Sequence, residues 1–235
     1  MNRILTIAQL TLHEAARRRI LVASLMCGLA FLVLYAIGFH FIEHNLERRG
    51  GPAMVERHLI LNFFTLAGLY AVNFLTVMSA VLLPVDTISG EVESGVMQTV
   101  ASKPIHRFEI VLGKWLAYVL VVSGYLLLLA GGVLAVARLL GGFTPPNPLL
   151  GLPLMMLEAV VLVSLSIAGG TRFSTVTNGV VAFGLYGLAF IGSWVEQVGA
   201  LTHNRAAVDV GTVASLILPS EALFLEVMGD DQRPG

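Results

Sequence analysis

Apolar residues run along this chain in long continuous blocks, not in alternation with polar ones. Five blocks, at about 20–42, 59–85, 111–137, 149–170 and 173–195, each supply the roughly 20 mostly apolar residues that a membrane-spanning helix requires. Their length and continuity predict helices and argue against a barrel. The first, second, third and fifth are uncharged through their centres. The third carries Lys114 near its start, where a long stem can snorkel to the headgroups. The fourth contains Glu158. A helix starting near 149 places that carboxyl roughly 14 Å in, facing the bundle interior or water, where it could line a substrate path or take a proton. A start after Pro153 places it near the interface instead. The fold class predicted is all-α: a polytopic membrane helix bundle in a single transmembrane domain over 1–235.

Residues 1–19 have a different pattern. Ile4, Leu5, Ala8, Leu12, Ala15 and Ala16 recur at helical spacing, with Arg3, Thr6, His13 and Arg17 largely on the other side. The pattern predicts a helix lying in the membrane interface; a short cytoplasmic helix without lipid contact is the plainer alternative. The apolar run after Arg17, Arg18 and Arg19 is too long for a signal-peptide core and no small-x-small cleavage site comes after it, so the first span is expected to stay as an anchor. The same arginines orient the chain: putting them inside also puts Lys103, Arg107, Lys114 and Arg172 inside, which predicts a cytoplasmic N-terminus.

Composition removes most soluble functions. Charged residues are 12% and hydrophobic residues 56%, with a mean hydropathy of +0.83, about half the charge of an ordinary soluble domain. A net charge of −1 gives no basic footprint for nucleic acid. The single cysteine, Cys27, excludes a disulfide framework within the chain and a cysteine-based zinc site.

The most informative stretch joins the second and third spans. Pro84 closes the second helix and Asp86 can cap a new one. Ile88, Val92 and Val96 share one helical face, with Glu91 and Glu93 off it. A short amphipathic helix over this stretch fits, and Pro104 breaks it before the third span begins, with Glu109 and Lys114 near its mouth. Periodicity alone leaves two roles open for such a helix: floating at the interface, or docking a partner.

The same stretch resembles the cytoplasmic loop of type-2 ABC exporter permeases. The resemblance rests on Ile88-Ser89-Gly90-Glu91, Glu93-Ser94-Gly95, Lys103-Pro104, Arg107 and Gly113-Lys114, in that order after the second span. The N-terminal helix, the basic step into the first span and the tail motif Leu218-Pro219-Ser220-Glu221-Ala222-Leu223 are also similar to that family. The resemblance implies a permease subunit in the cell (inner) membrane, paired with a second permease subunit as a homo- or heterodimer. It implies that each subunit docks on a cytoplasmic ABC ATPase, which holds the ATP and Mg. It further implies that 86–107 is a coupling loop, with Ile88, Val92, Val96 and Met97 as the apolar contact, Glu91 and Glu93 as charged partners and Gly95 also among the ATPase-coupling residues. Pro104, Arg107, Gly113 and Lys114 then lead into the third span. This chain carries no G-x-x-x-x-G-K-[ST], so no phosphate cradle; the motor is expected in another polypeptide, and the chain itself is expected to be neither an enzyme nor cofactor-bound. The alternative is a membrane-anchoring or scaffold subunit without a transport path.

Other signals are weaker. His40-Phe41-Ile42-Glu43-His44 matches an H-x-x-E-H pattern with both histidines on one helix face, but no third ligand accompanies it in the sequence. Asn62, Asn73, Thr76 and Ser79 are read as interhelical hydrogen-bonding groups, and Gly131 with Ala135 as a close-packing pair. No serine nucleophile elbow or paired intramembrane aspartates appear. After 195 the chain turns polar to amphipathic, with Glu196, Arg205 and Asp209, and the apolar run 210–218 is too short to cross. Members of the resembled family usually have six spans; 196–235 is therefore expected to be an outer segment preceding a missing sixth span in a truncated chain, the alternative being a member that works with five.

Overall fold

The computed structural model describes residues 3–48, 54–85, 87, 107–142 and 148–201. These residues form six α-helices: α1 (Arg3–Arg17), α2 (Arg19–Arg48), α3 (Met54–Leu82), α4 (Arg107–Gly141), α5 (Pro148–Gly169) and α6 (Thr175–Leu201). Five of them, α2 to α6, are long and apolar enough to cross a membrane. An all-helical polytopic bundle is thus what the continuous apolar blocks produce.

Local chemistry sets the helix ends. Arg18 alone separates α1 from α2; its N–H reaches back to the Ala15 carbonyl at 3.0 Å and its own carbonyl accepts from Leu21 at 3.1 Å. Pro148 opens α5, where its missing N–H costs nothing, and the helix continues through Pro153. That continuation decides between the two expected starts: Glu158 lies ten residues beyond Pro148, about 15 Å along the axis. The Ser174 carbonyl accepts from Asn178 N–H at 2.9 Å and so starts α6, which runs through Glu196 to Leu201.

Helix α4 is the centre of the bundle and touches α1, α2, α3 and α5. Its 35 residues extend about 52 Å, well beyond a hydrocarbon core of about 30 Å. Small residues let its neighbours approach. A Cβ on Gly132 would stand 2.8 Å from Leu32 of α2, one on Gly141 2.9 Å from Phe39, and one on Gly28 2.8 Å from the Tyr125 hydroxyl. The close-packing pair expected at Gly131 and Ala135 is not used in this way. A Cβ on Gly131 would meet nothing within 4 Å, and Ala135 is exposed; Gly132, one position on, points at α2.

Helix α1 packs along α4. Ala8, Thr11 and Ala15 are buried, while Leu5, Leu10 and Leu12 are exposed. The apolar side read from the sequence is therefore split between protein contact and an outward face. The largest apolar cluster draws on Ala15 of α1, Val77, Ala80 and Val81 of α3, Tyr118 and Val122 of α4, Leu162 and Ile167 of α5, and Ala182 and Ala189 of α6. At the other end a smaller cluster, Phe39, Leu61 and Ala137, joins only α2, α3 and α4.

Candidate functional site

Where α3 ends, the chain turns into the connection that leads to α4. Pro84 has no N–H to extend the helix, and Thr87 N–H bonds to the Pro84 carbonyl at 3.0 Å. Leu83, Val85 and Thr87 are buried, so the carbonyls of this turn need partners from within the bundle. Three helices supply them. Ser166 of α5 donates to the Val81 carbonyl at 3.1 Å. Asn178 of α6 donates to the Val85 carbonyl at 3.3 Å and to the Ser166 carbonyl at 2.7 Å. Lys114 of α4 donates from Nζ to the Thr87 carbonyl at 3.4 Å, and the Thr87 hydroxyl donates to the Tyr118 hydroxyl at 2.8 Å.

This cluster is the root of the 88–106 segment. It is reached because the neighbouring positions are small. Gly169 faces the Asn178 carboxamide directly, and a Cβ there would overlap it. A Cβ on Gly113 would stand 2.7 Å from Ile7 and 3.1 Å from the Ile4 carbonyl, so Gly113 is the position at which α1 seats against α4. The root thereby ties the end of α3 to α4, α5 and α6 together.

The expected site residues divide sharply. Ile88, Glu91, Val92, Glu93, Gly95, Val96, Met97 and Pro104 lie outside the described residues. Arg107 is the first residue of α4, with its side chain also outside them. Gly113 and Lys114 sit at the root. Lys114 does not snorkel to headgroups: it is 7% exposed and turned inward, because the Thr87 carbonyl offers its ammonium an acceptor. Thr87, Tyr118, Ser166 and Asn178 were not anticipated as site residues. Asn178 carried a usable signal, since an asparagine in an apolar span needs a partner within the bundle.

Glu158 lies away from the root, buried at 1% exposure, and accepts from Asn73 Nδ2 of α3 at 3.0 Å. Asn73 thus makes the interhelical bond expected of it, whereas the Thr76 hydroxyl turns back to the Val72 carbonyl of its own helix at 2.8 Å. At the end of the bundle away from the root, Glu43 of α2 pairs with Arg57 of α3, which also donates to the Gly141 carbonyl of α4 at 3.3 Å. Glu43 is therefore turned inward, while His40 and His44 stay exposed with their rings stacked 6.3 Å apart. Among the described residues no group of three or more His, Cys, Asp or Glu could hold a metal ion, and the H-x-x-E-H stretch has its Glu43 buried and both histidines exposed.

The family model described as "ABC-2 family transporter protein" matches residues 6–218. No curated protein matches the chain.

Proposed function

From the premise that this chain belongs to the ABC-2 transporter family, we propose that it is the permease subunit of an ATP-driven exporter and takes its energy from a separate ATPase. Two permease subunits pair in the inner membrane, with the N-terminus and the 88–106 segment on the cytoplasmic side. ATP and Mg2+ belong to the partner ATPase. Ile88, Val92, Val96 and Met97 form the contact with it, Glu91 and Glu93 are the charged flank, Gly95 belongs to the same coupling set, and Pro104 leads into α4.

The observation that carries this reading is the loop root. A connection that only floated at the interface has no need of a buried lysine, an asparagine and a serine hydroxyl on carbonyls at and just past the end of α3, with a Thr87–Tyr118 hydroxyl pair beside them. A connection that is pushed does need them. The root ties the pushed segment to three spanning helices, so that force applied outside the bilayer reaches the bundle rather than unwinding one helix end.

The test is co-expression of the full chain with a candidate ABC ATPase, then reconstitution in lipid. The expected result is a stable complex whose ATP hydrolysis differs from that of the ATPase alone, and a Glu91→Lys variant that loses this difference. An ATPase that binds but hydrolyses identically with wild type and Glu91→Lys would point to an anchoring role and against coupling through this segment.

A further inference from the structure

Glu158 and Asn73 meet between α3 and α5 with their side chains almost wholly enclosed, at 1% and 6% exposure. Asn73 Nδ2 donates to Glu158 Oε2 at 3.0 Å. The other oxygen of each group, Glu158 Oε1 and Asn73 Oδ1, is buried without a donor among the described residues. Both are acceptors only, as long as the carboxyl is ionised. Thr76 of α3 cannot help, because its hydroxyl hydrogen goes to the Val72 carbonyl at 2.8 Å. The clusters flanking the pair are built from apolar side chains, among them Val72 and Val77 of α3, Met155 and Leu162 of α5, Leu126 of α4 and Ala182 of α6.

Among the described residues no basic side chain pairs with this carboxyl. Glu158 is the one charged residue of α5. On α3 the groups Glu56, Arg57 and His58 lie at least 15 residues before Asn73, about 22 Å along the helix, and Tyr70 is exposed. On α4, Arg107, Glu109 and Lys114 belong to the root end and Arg138 to the other, with Lys114 held by the Thr87 carbonyl. The α4 tyrosines bond elsewhere, Tyr118 with Thr87 and Tyr125 with the Ser24 carbonyl of α2. Helix α6 has no charged residue from 175 to 195, and its Tyr186 stacks on Phe190. An ionised Glu158 is thus an uncompensated charge at spanning depth, which is costly. One proton removes the charge and turns Oε1 into a donor. Oε1–H then bonds Asn73 Oδ1 while Asn73 Nδ2 keeps its bond to Oε2, so two parallel bonds partner both orphan oxygens and no other ligand is needed. We propose that Glu158 holds a proton in the closed bundle, and that this acid–amide pair is a proton-binding latch between α3 and α5. Parting the helices breaks both bonds and exposes the carboxyl to water, which takes the proton; closing recovers it from water. The inference goes beyond the permease reading and does not depend on an ATPase partner.

The test is infrared absorption of the full chain in an ester-free detergent at about pH 7.5, where exposed carboxyls are ionised. The wild type is expected to show the C=O stretch of an un-ionised carboxylic acid, absent from Glu158→Gln and moved in frequency in Asn73→Ala. No such band in the wild type, or an equal band in Glu158→Gln, overturns the proposal. Thermal unfolding gives a second readout. Glutamine mimics the protonated acid, since its carboxamide can donate to Asn73 Oδ1 and accept from Nδ2. Near pH 6, Glu158→Gln is therefore expected to unfold close to the wild-type midpoint, and Glu158→Leu to lose several degrees because Asn73 is left unpaired. Raising the pH from about 6 to about 9 is expected to lower the wild-type midpoint relative to Glu158→Gln, because unfolding releases the Glu158 proton. A gap between those two midpoints that is constant with pH, or a wild type that gains on Glu158→Gln as pH rises, overturns the latch.

Discussion

The two ends of the bundle are fastened by different chemistry. At the root end, one hydroxyl, one carboxamide and one lysine reach buried backbone carbonyls and a second hydroxyl pairs with Tyr118, and the ties run from the end of α3 to α4, α5 and α6. At the opposite end the polar ties include the Glu43–Arg57 pair, the Arg57 bond to Gly141 and the Tyr35 bond to the Phe64 carbonyl, joining α2, α3 and α4, with the Arg57 side chain 41% exposed. The apolar packing shows the same division, with α5 and α6 contributing to the root-end cluster and not to the far one. A bundle built this way ties α3 to α4, α5 and α6 at the root, and only α2, α3 and α4 to one another in the far-end cluster.

The largest effect that bears on this contrast is expected at Gly113. Gly113→Leu drives a side chain into Ile7 and lifts α1 from α4; overpacking of this kind costs about 1–3 kcal/mol. It should lower the unfolding midpoint and open α1 to protease at Arg17. Next comes Asn178→Ala, which removes the donor to both Val85 and Ser166 carbonyls. With interhelical bonds in membranes averaging about 0.6 kcal/mol and reaching about 1.7, the loss should be near 1–2 kcal/mol, with faster amide exchange at 83–87. Lys114→Met keeps the stem and removes the ammonium. It should cost about 1 kcal/mol while weakening the response of the bound ATPase out of proportion to stability. The smallest effect is expected at the far end. Arg57→Gln breaks a partly exposed pair worth under about 1 kcal/mol, and should leave ATPase coupling intact. A far-end variant that uncoupled as strongly as Lys114→Met would erase the contrast.

Much of the fold was legible because lipid demands it: five apolar blocks of spanning length have few other solutions. The root was legible only in part. Gly113 and Lys114 stood out through the resemblance, yet their roles differ from a loop-to-helix lead-in: one seats α1, the other turns inward to Thr87. Snorkelling was the natural reading of Lys114 because sequence shows depth and not the acceptor beside it. Ser166 and Asn178 come from helices more than 75 residues further along the chain than Val81 and Val85, and no periodicity reveals such a meeting. Gly131 and Gly132 show the same limit at finer scale, since adjacent positions on a helix face about 100° apart and only one of them meets α2.

The most direct test of coupling through the root watches the far end while force is applied at the root. In a Cys27→Ser background, spin labels at Leu59→Cys of α3 and Leu139→Cys of α4, both exposed near the far end, report the separation of those helices by pulsed EPR in the ATPase-bound complex. Coupling predicts a change in that distance on trapping with ATP, Mg2+ and vanadate, and its loss in Lys114→Met with the complex still assembled. The same distance with and without trapping in the wild type, or an undiminished change in Lys114→Met, would contradict it.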